Sequence, residues 1–107
     1  MKLDKIKLGD ITYNIELVKG LERDDEDPSE RRKLDGYITF HDTRIRLEVA
    51  QNTSAMTLTL LHEIMHAMFV QSGRCADEEV IDGLSYQLYS LIKNNPKLTD
   101  FIQKGDK

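Results

Sequence analysis

His62-Glu63-Ile64-Met65-His66 sets two histidines four residues apart with a glutamate between them. In a helix, residues four apart share a face, so the two imidazoles of this H-E-x-x-H pattern can converge on one metal ion. The glutamate points toward the same cleft without being forced into coordination. From there it can take a proton from a water that the metal activates. Two of the three histidines in the chain fall in this one stretch.

The flanks favour a helix. Asn52-Thr53-Ser54 supplies N-cap chemistry, residues 55–70 contain no glycine or proline, and Ser72-Gly73 offers a stop. Met56, Leu58, Leu60, Leu61, Ile64, Met65, Met68, Phe69 and Val70 cover much of the circumference. Such a helix is expected to be buried between a sheet and other helices. Two histidines and a glutamate inside it are costly unless something pairs with them, and a divalent metal is the natural partner. The competing reading is a pair of core histidines hydrogen-bonded to backbone.

A catalytic zinc site needs a third protein ligand and an open position for water. Asp77-Glu78-Glu79 opens a second helical segment that runs to about Asn94. At about 100° per residue, Val80, Ile81, Leu84, Leu88, Leu91 and Ile92 form one apolar arc. Glu78 stands at the edge of that arc and Glu79 faces solvent, so Glu78 is the expected third ligand. Asp82 lies one turn later on the same edge and would orient a ligating histidine through its other ring nitrogen. Asp77 and Glu79 are accounted for by compensation of the helix dipole. Cys75, between the two ligand segments, is the other donor type within reach. A plain loop or core thiol is the simpler account of it.

With 107 residues, 39% hydrophobic and 32% charged, the chain suits one domain, residues 1–107, with a single core. A net charge of −4 gives no electrostatic support to a nucleic-acid role. No apolar stretch is long enough to span a membrane and no secretory signal opens the sequence. The lone cysteine excludes an internal disulfide and fits a reducing, cytoplasmic setting.

Residues 2–8 and 11–18 alternate apolar and polar character around Gly9-Asp10 and read as a hairpin. Residues 20–34 carry an acidic run, Glu22, Asp24, Asp25, Glu26, Asp27 and Glu30, which reads as a solvated loop. Residues 36–40 and 44–47 read as two more strands joined by His41-Asp42-Thr43, a surface turn that explains the third histidine. Asn94-Asn95-Pro96 breaks the chain before a short helix over residues 98–102. Strands followed by helices predict an α+β fold. A sheet of three or four strands, antiparallel or mixed, would pack on the H-E-x-x-H helix and on a second, ligand-bearing helix.

On these residues the chain resembles the zincin metallopeptidases, and within them the gluzincin branch, where H-E-x-x-H precedes a helix carrying E-x-x-x-D. Here those positions are His62, Glu63, His66, Glu78 and Asp82. Gly36-Tyr37-Ile38, Ile45-Arg46-Leu47, the run from Leu60 to Ala67, and Glu78 to Leu84 with Lys93-Asn94-Asn95-Pro96 are similar to the ImmA/IrrE-type metallopeptidase-like proteins of phages and prophages and to the minigluzincins. The likeness covers roughly residues 34–98. It implies zinc on His62, His66 and Glu78, Glu63 as general base, and Asp82 in support. It also implies a peptide or protein substrate extended along a strand edge near residues 36–40. The larger members carry more chain around the substrate cleft. Tyr37, Tyr86 and Tyr89 have the chemistry to donate to an oxyanion. Two rivals stand beside the peptidase: a non-enzymatic zinc-binding interaction module, and a metal-free interaction protein with structural histidines.

Overall fold

The computed structural model describes residues 3–22 and 34–105. Four strands come first, β1 (Lys5–Leu8), β2 (Ile11–Val18), β3 (Gly36–Thr39) and β4 (Arg44–Glu48), followed by helices α1 (Thr53–Gln71), α2 (Glu78–Asn94) and α3 (Pro96–Lys104). The strands form one mixed sheet in the order β1-β2-β4-β3. The two hairpins, β1–β2 and β3–β4, are antiparallel, and β2 joins β4 in parallel. This is the expected α+β architecture. Residues 23–33, most of the acidic run, lie outside the described residues.

Alternation along the strands decides the two faces of the sheet. Register sets Ile15, Ile45 and Ile38 side by side across β2, β4 and β3. That row, with Tyr13 and Leu47, packs on Met56, Leu60 and Ala67 of α1 to make the core. One residue along, Glu16 and Arg46 pair across the opposite face, with Arg46 Nε 3.5 Å from Glu16 Oε1. A polar outer face and an apolar inner one leave α1 a single side on which to dock.

Helix α1 begins where the sequence places it. The Asn52 side chain accepts from the Ala55 N–H, and Gly73, at φ +69°, turns the chain out of the helix. The helix is less enclosed than its composition suggests. Met56, Leu60, Met65 and Ala67 are buried, whereas Met68 and Val70 near its end are exposed. The apolar arc of α2 is likewise only partly covered: Ile81 is buried, but Val80, Leu84, Leu91 and Ile92 are exposed. Among the described residues α2 packs on α1 and meets α3, too little surface to cover every apolar side chain. Helix α3 starts at Pro96, two residues before the expected start, because a proline is tolerated in the first turn of a helix.

The contact that positions α1 is made at Gly36, the first residue of β3. A Cβ there would lie 2.4 Å from Thr59 Cγ2 and 3.4 Å from Glu63 Cγ. Thr59 has little freedom to yield, because its hydroxyl bonds Ala55 O at 2.9 Å and Gln51 Oε1 at 3.0 Å. Gln51 Nε2 in turn donates to the carbonyl oxygens of Asp35 and Glu48, fastening both strands to the start of the helix. Gly36→Ala is therefore expected to destabilise the protein by roughly 1–3 kcal/mol in urea denaturation. Thr59→Ser removes the clashing methyl and keeps the hydroxyl, so the double variant should recover most of that loss. A purely additive double variant would place the strain elsewhere.

Candidate metal centre

Helix α2 runs back along α1, which brings Glu78 and Asp82 of one helix to His62 and His66 of the other. Local chemistry puts each donor in place. Asp77 caps α2 by accepting from Val80 N–H at 2.9 Å, so Glu78 is the first helical residue and Asp82 stands one turn behind it. His62 and His66, one turn apart on α1, face each other with their Nε2 atoms 3.1 Å apart. Glu78 closes the triangle, with Oε2 2.9 Å from His62 Nε2 and Oε1 3.0 Å from His66 Nε2. Among the described residues these three side chains are the group that could hold a metal ion.

The second nitrogen of His62 shows why the cluster suits a cation. His62 Nδ1 lies 2.7 Å from Asp82 Oδ1. An ionised carboxylate can only accept, so this bond keeps the ring proton on Nδ1 and leaves a lone pair on Nε2 of the neutral imidazole. That lone pair faces the oxygen of Glu78. Two acceptors at such a distance repel unless a proton or a cation lies between them. The arrangement fits a metal site whose histidine is oriented by a carboxylate behind it.

Glu63 is different in kind. It is only 7% exposed, set where α1 meets the start of β3, and among the described residues it has no ion-pair partner. Burial pushes its carboxyl up to about 7. His62 and a hydrogen bond from the backbone of Ile38 act downward, and the negative Glu78 acts upward. A carboxyl so poised near neutrality has the property required of a proton acceptor. Glu63 lines an open cleft of about 300 Å³ together with Asp35, Gly36, Leu58, Thr59, His62 and Asp82.

The structure thus brings together all five residues singled out from the sequence: His62, Glu63, His66, Glu78 and Asp82. Glu79 is exposed and outside the donor group, as its helical phase predicts. Cys75 is an exposed free thiol and does not join it. His41 lies in the β3–β4 turn with its side chain 82% exposed and 3.8 Å from Asp42. None of Tyr37, Tyr86 and Tyr89 lines the cleft among the described residues. The Tyr89 hydroxyl instead accepts from Lys93 Nζ at 2.9 Å. Asp35 and Thr59 line the cleft without having been singled out. Thr59 precedes Glu63 by one helical turn, a signal that points to it, whereas nothing local marks Asp35.

Burial of Glu63 has a consequence in the metal-free protein. Its carboxyl titrates near 7 when folded and near 4.5 when unfolded, so the native state binds more protons between those values. Stability associated with the neutral acid is fully present below pH 4.5 and is lost as pH rises through 7. In chelator, the parent is expected to lose roughly 3 kcal/mol relative to Glu63→Gln across that window. Denaturant melts of both proteins at several pH values measure it, and parallel profiles would show that Glu63 is not the group responsible.

Compared with known proteins, the chain matches no family model, no curated relative and no solved structure. The candidate metal centre rests on the chain's own geometry: His62, His66 and Glu78 could hold a metal ion.

Proposed function

We propose that this chain is a zinc-dependent metallopeptidase, with His62, His66 and Glu78 as metal ligands and Glu63 as general base. The observation that carries the reading is a three-point donor set, assembled from two helices, beside a buried glutamate that meets β3, the edge strand among the described residues. Ligand atoms about 2.0–2.1 Å from a tetrahedral zinc stand about 3.3 Å apart. The separations of 2.9, 3.0 and 3.1 Å among these donors support that ion. Mixed imidazole and carboxylate donors with room for one more ligand agree with a catalytic rather than a closed structural site. The resemblance of His62, Glu63, His66, Glu78 and Asp82 to the gluzincin pattern, and of the wider chain to ImmA/IrrE-type and minigluzincin proteins, supports the same conclusion.

Zinc bound there supplies a Lewis acid that polarises a carbonyl and makes water acidic at neutral pH. The chain does the rest. Glu63 accepts the proton of the attacking water and returns it to the departing amine. Asp82 holds the His62 ring so that Nε2, and not Nδ1, faces the donor triangle. Among the described residues strand β3 pairs only with β4, and its other edge offers a place for an extended peptide to join by strand addition. Gly36, with no side chain, keeps the near end of that edge open beside the cleft. Glu63 already engages the backbone of Ile38, which ties the base to the strand along which the substrate lies.

Purified protein is expected to hold about one zinc per chain by elemental mass spectrometry. His62→Ala and Glu78→Ala should lose the metal, whereas Glu63→Gln should retain it and abolish hydrolysis of a fluorogenic peptide library. Peptide cleavage by Glu63→Gln at the parental rate would remove Glu63 from the mechanism. A folded, zinc-loaded parent that cuts no peptide would select the non-enzymatic zinc-binding module instead.

Asp82→Ala is expected to weaken zinc roughly 10- to 100-fold in chelator competition at neutral pH without abolishing binding. Unchanged affinity would mean that the 2.7 Å contact does nothing to orient His62.

A further inference from the structure

Gln51 lies between β4 and α1 and belongs to neither, yet its side chain bonds to the chain in three places. Its Nε2 donates to Asp35 O at 2.9 Å and to Glu48 O at 3.0 Å, and its Oε1 accepts from the Thr59 hydroxyl at 3.0 Å. A primary amide carries two N–H donors on one atom and an acceptor on the other, and both kinds are used here. Glutamate at this position would lack the donors, lysine the acceptor and methionine both.

These bonds act beside Glu63. Thr59 precedes Glu63 by one turn of α1, and its hydroxyl, shared between Gln51 Oε1 and Ala55 O, leaves its methyl facing Gly36. The ladder between β3 and β4 shows which way the backbone of β3 points. Glu48 N–H donates to Asp35 O at 2.8 Å, and these two residues continue the register that pairs Gly36 with Leu47. Bonded and non-bonded pairs alternate along antiparallel strands, so Tyr37 and Thr39 turn their N–H and C=O groups toward β4. Gly36 and Ile38 turn theirs to the opposite edge, where Glu63 takes a hydrogen bond from the backbone of Ile38. The peptide unit joining Asp35 to Gly36 is planar, so fixing its carbonyl oxygen also aims the Gly36 N–H the other way, to the edge beside the cleft. Gln51 thus holds one peptide plane of the edge strand and one side chain of the helix against each other.

We propose that Gln51 is a positioning residue: through the Asp35–Gly36 peptide and Thr59 it sets how far β3 stands from α1, and so keeps the backbone of Ile38 on Glu63 and the Gly36 N–H toward the cleft. The consequence for catalysis rests on the peptidase reading above, whereas the placement itself needs no metal.

Gln51→Met keeps the length of the side chain and removes all three bonds. Gln71→Met is the matched control, because Gln71 Nε2 donates to Tyr13 OH at 2.9 Å and ties the far end of the same helix to the sheet. Amide hydrogen exchange, followed by NMR on the full metal-free chain, is the first reading. Gln51→Met is expected to speed exchange at Ile38 roughly 10-fold beyond any change at the core amides of Ile45 and Leu47, and Gln71→Met is not. Cleavage of a fluorogenic peptide by the zinc-loaded proteins is the second. Gln51→Met should lower kcat roughly 10- to 100-fold, as displacement of a reacting group does, with zinc affinity within about twofold of the parent. Gln71→Met should keep the parental kcat. Gln51→Asn retains the amide but falls one methylene short, and it gives the same readings should Gln51→Met fail to fold. Parental exchange at Ile38 in a folded Gln51 variant would overturn the proposal. An equal loss of kcat in Gln51→Met and Gln71→Met would also overturn it, since any tie between helix and sheet would then serve as well. A parent that cuts no peptide counts against the peptidase reading instead, and the exchange result then upholds or overturns the role of Gln51 by itself.

Discussion

The approach of β3 to α1 at Gly36 is the constraint on which the rest of the structure depends. With no side chain at that position, the backbone of the edge strand comes within reach of Thr59 and Glu63. The closeness does three things at once. It seats α1 on the apolar row Ile15, Ile45 and Ile38, it shuts water away from the Glu63 carboxyl, and it leaves a cleft between strand edge and helix in place of a filled contact. Gln51 secures the approach from the far side by bonding the carbonyls of Asp35 and Glu48 and the hydroxyl of Thr59.

Around that contact α1 is used on three sides. Met56, Leu60 and Ala67 belong to the sheet, and part of the remaining surface belongs to α2. The flank between those two holds His62 and His66. Its polar residues sit where these two packing surfaces meet an opening, while Met68 and Val70 near its end stay exposed. The divergence between Glu63 and the exposed Glu78 follows from this. Both are glutamates, but one is enclosed by helix and strand and pushed toward neutrality, while the other stands at a helix start with a side chain 69% exposed. Environment alone sets the two glutamates apart: burial raises the carboxyl of Glu63, whereas Glu78 stays at the surface beside the two histidines.

Small size shapes the molecule beyond the site. Among the described residues, one sheet and three helices leave the outer face of α2 and most of α3 exposed. Among the described residues β3 is likewise an uncovered edge of the sheet beside the cleft.

Much of this was legible in the residues. The cap at Asn52, the alternation in the strands and the i, i+4 spacing of His62 and His66 are local signals, and local signals act through backbone geometry within one or two turns. Helical phase alone separated Glu78 from Glu79 and put Asp82 on the same edge, because a rotation of about 100° per residue needs no tertiary information. Tertiary structure decided what depends on residues far apart in the chain. The parallel joining of β2 to β4 made β3 the edge strand. The meeting of Gly36 with Thr59 and Glu63, across more than twenty residues of sequence, buried the carboxyl and shaped the cleft that Asp35 helps to line. The apolar arc of α2 was visible in the sequence, but only the fold showed how much of it α1 covers. Periodicity states which way a side chain points; burial depends on what stands opposite, and that is a property of the assembled layers.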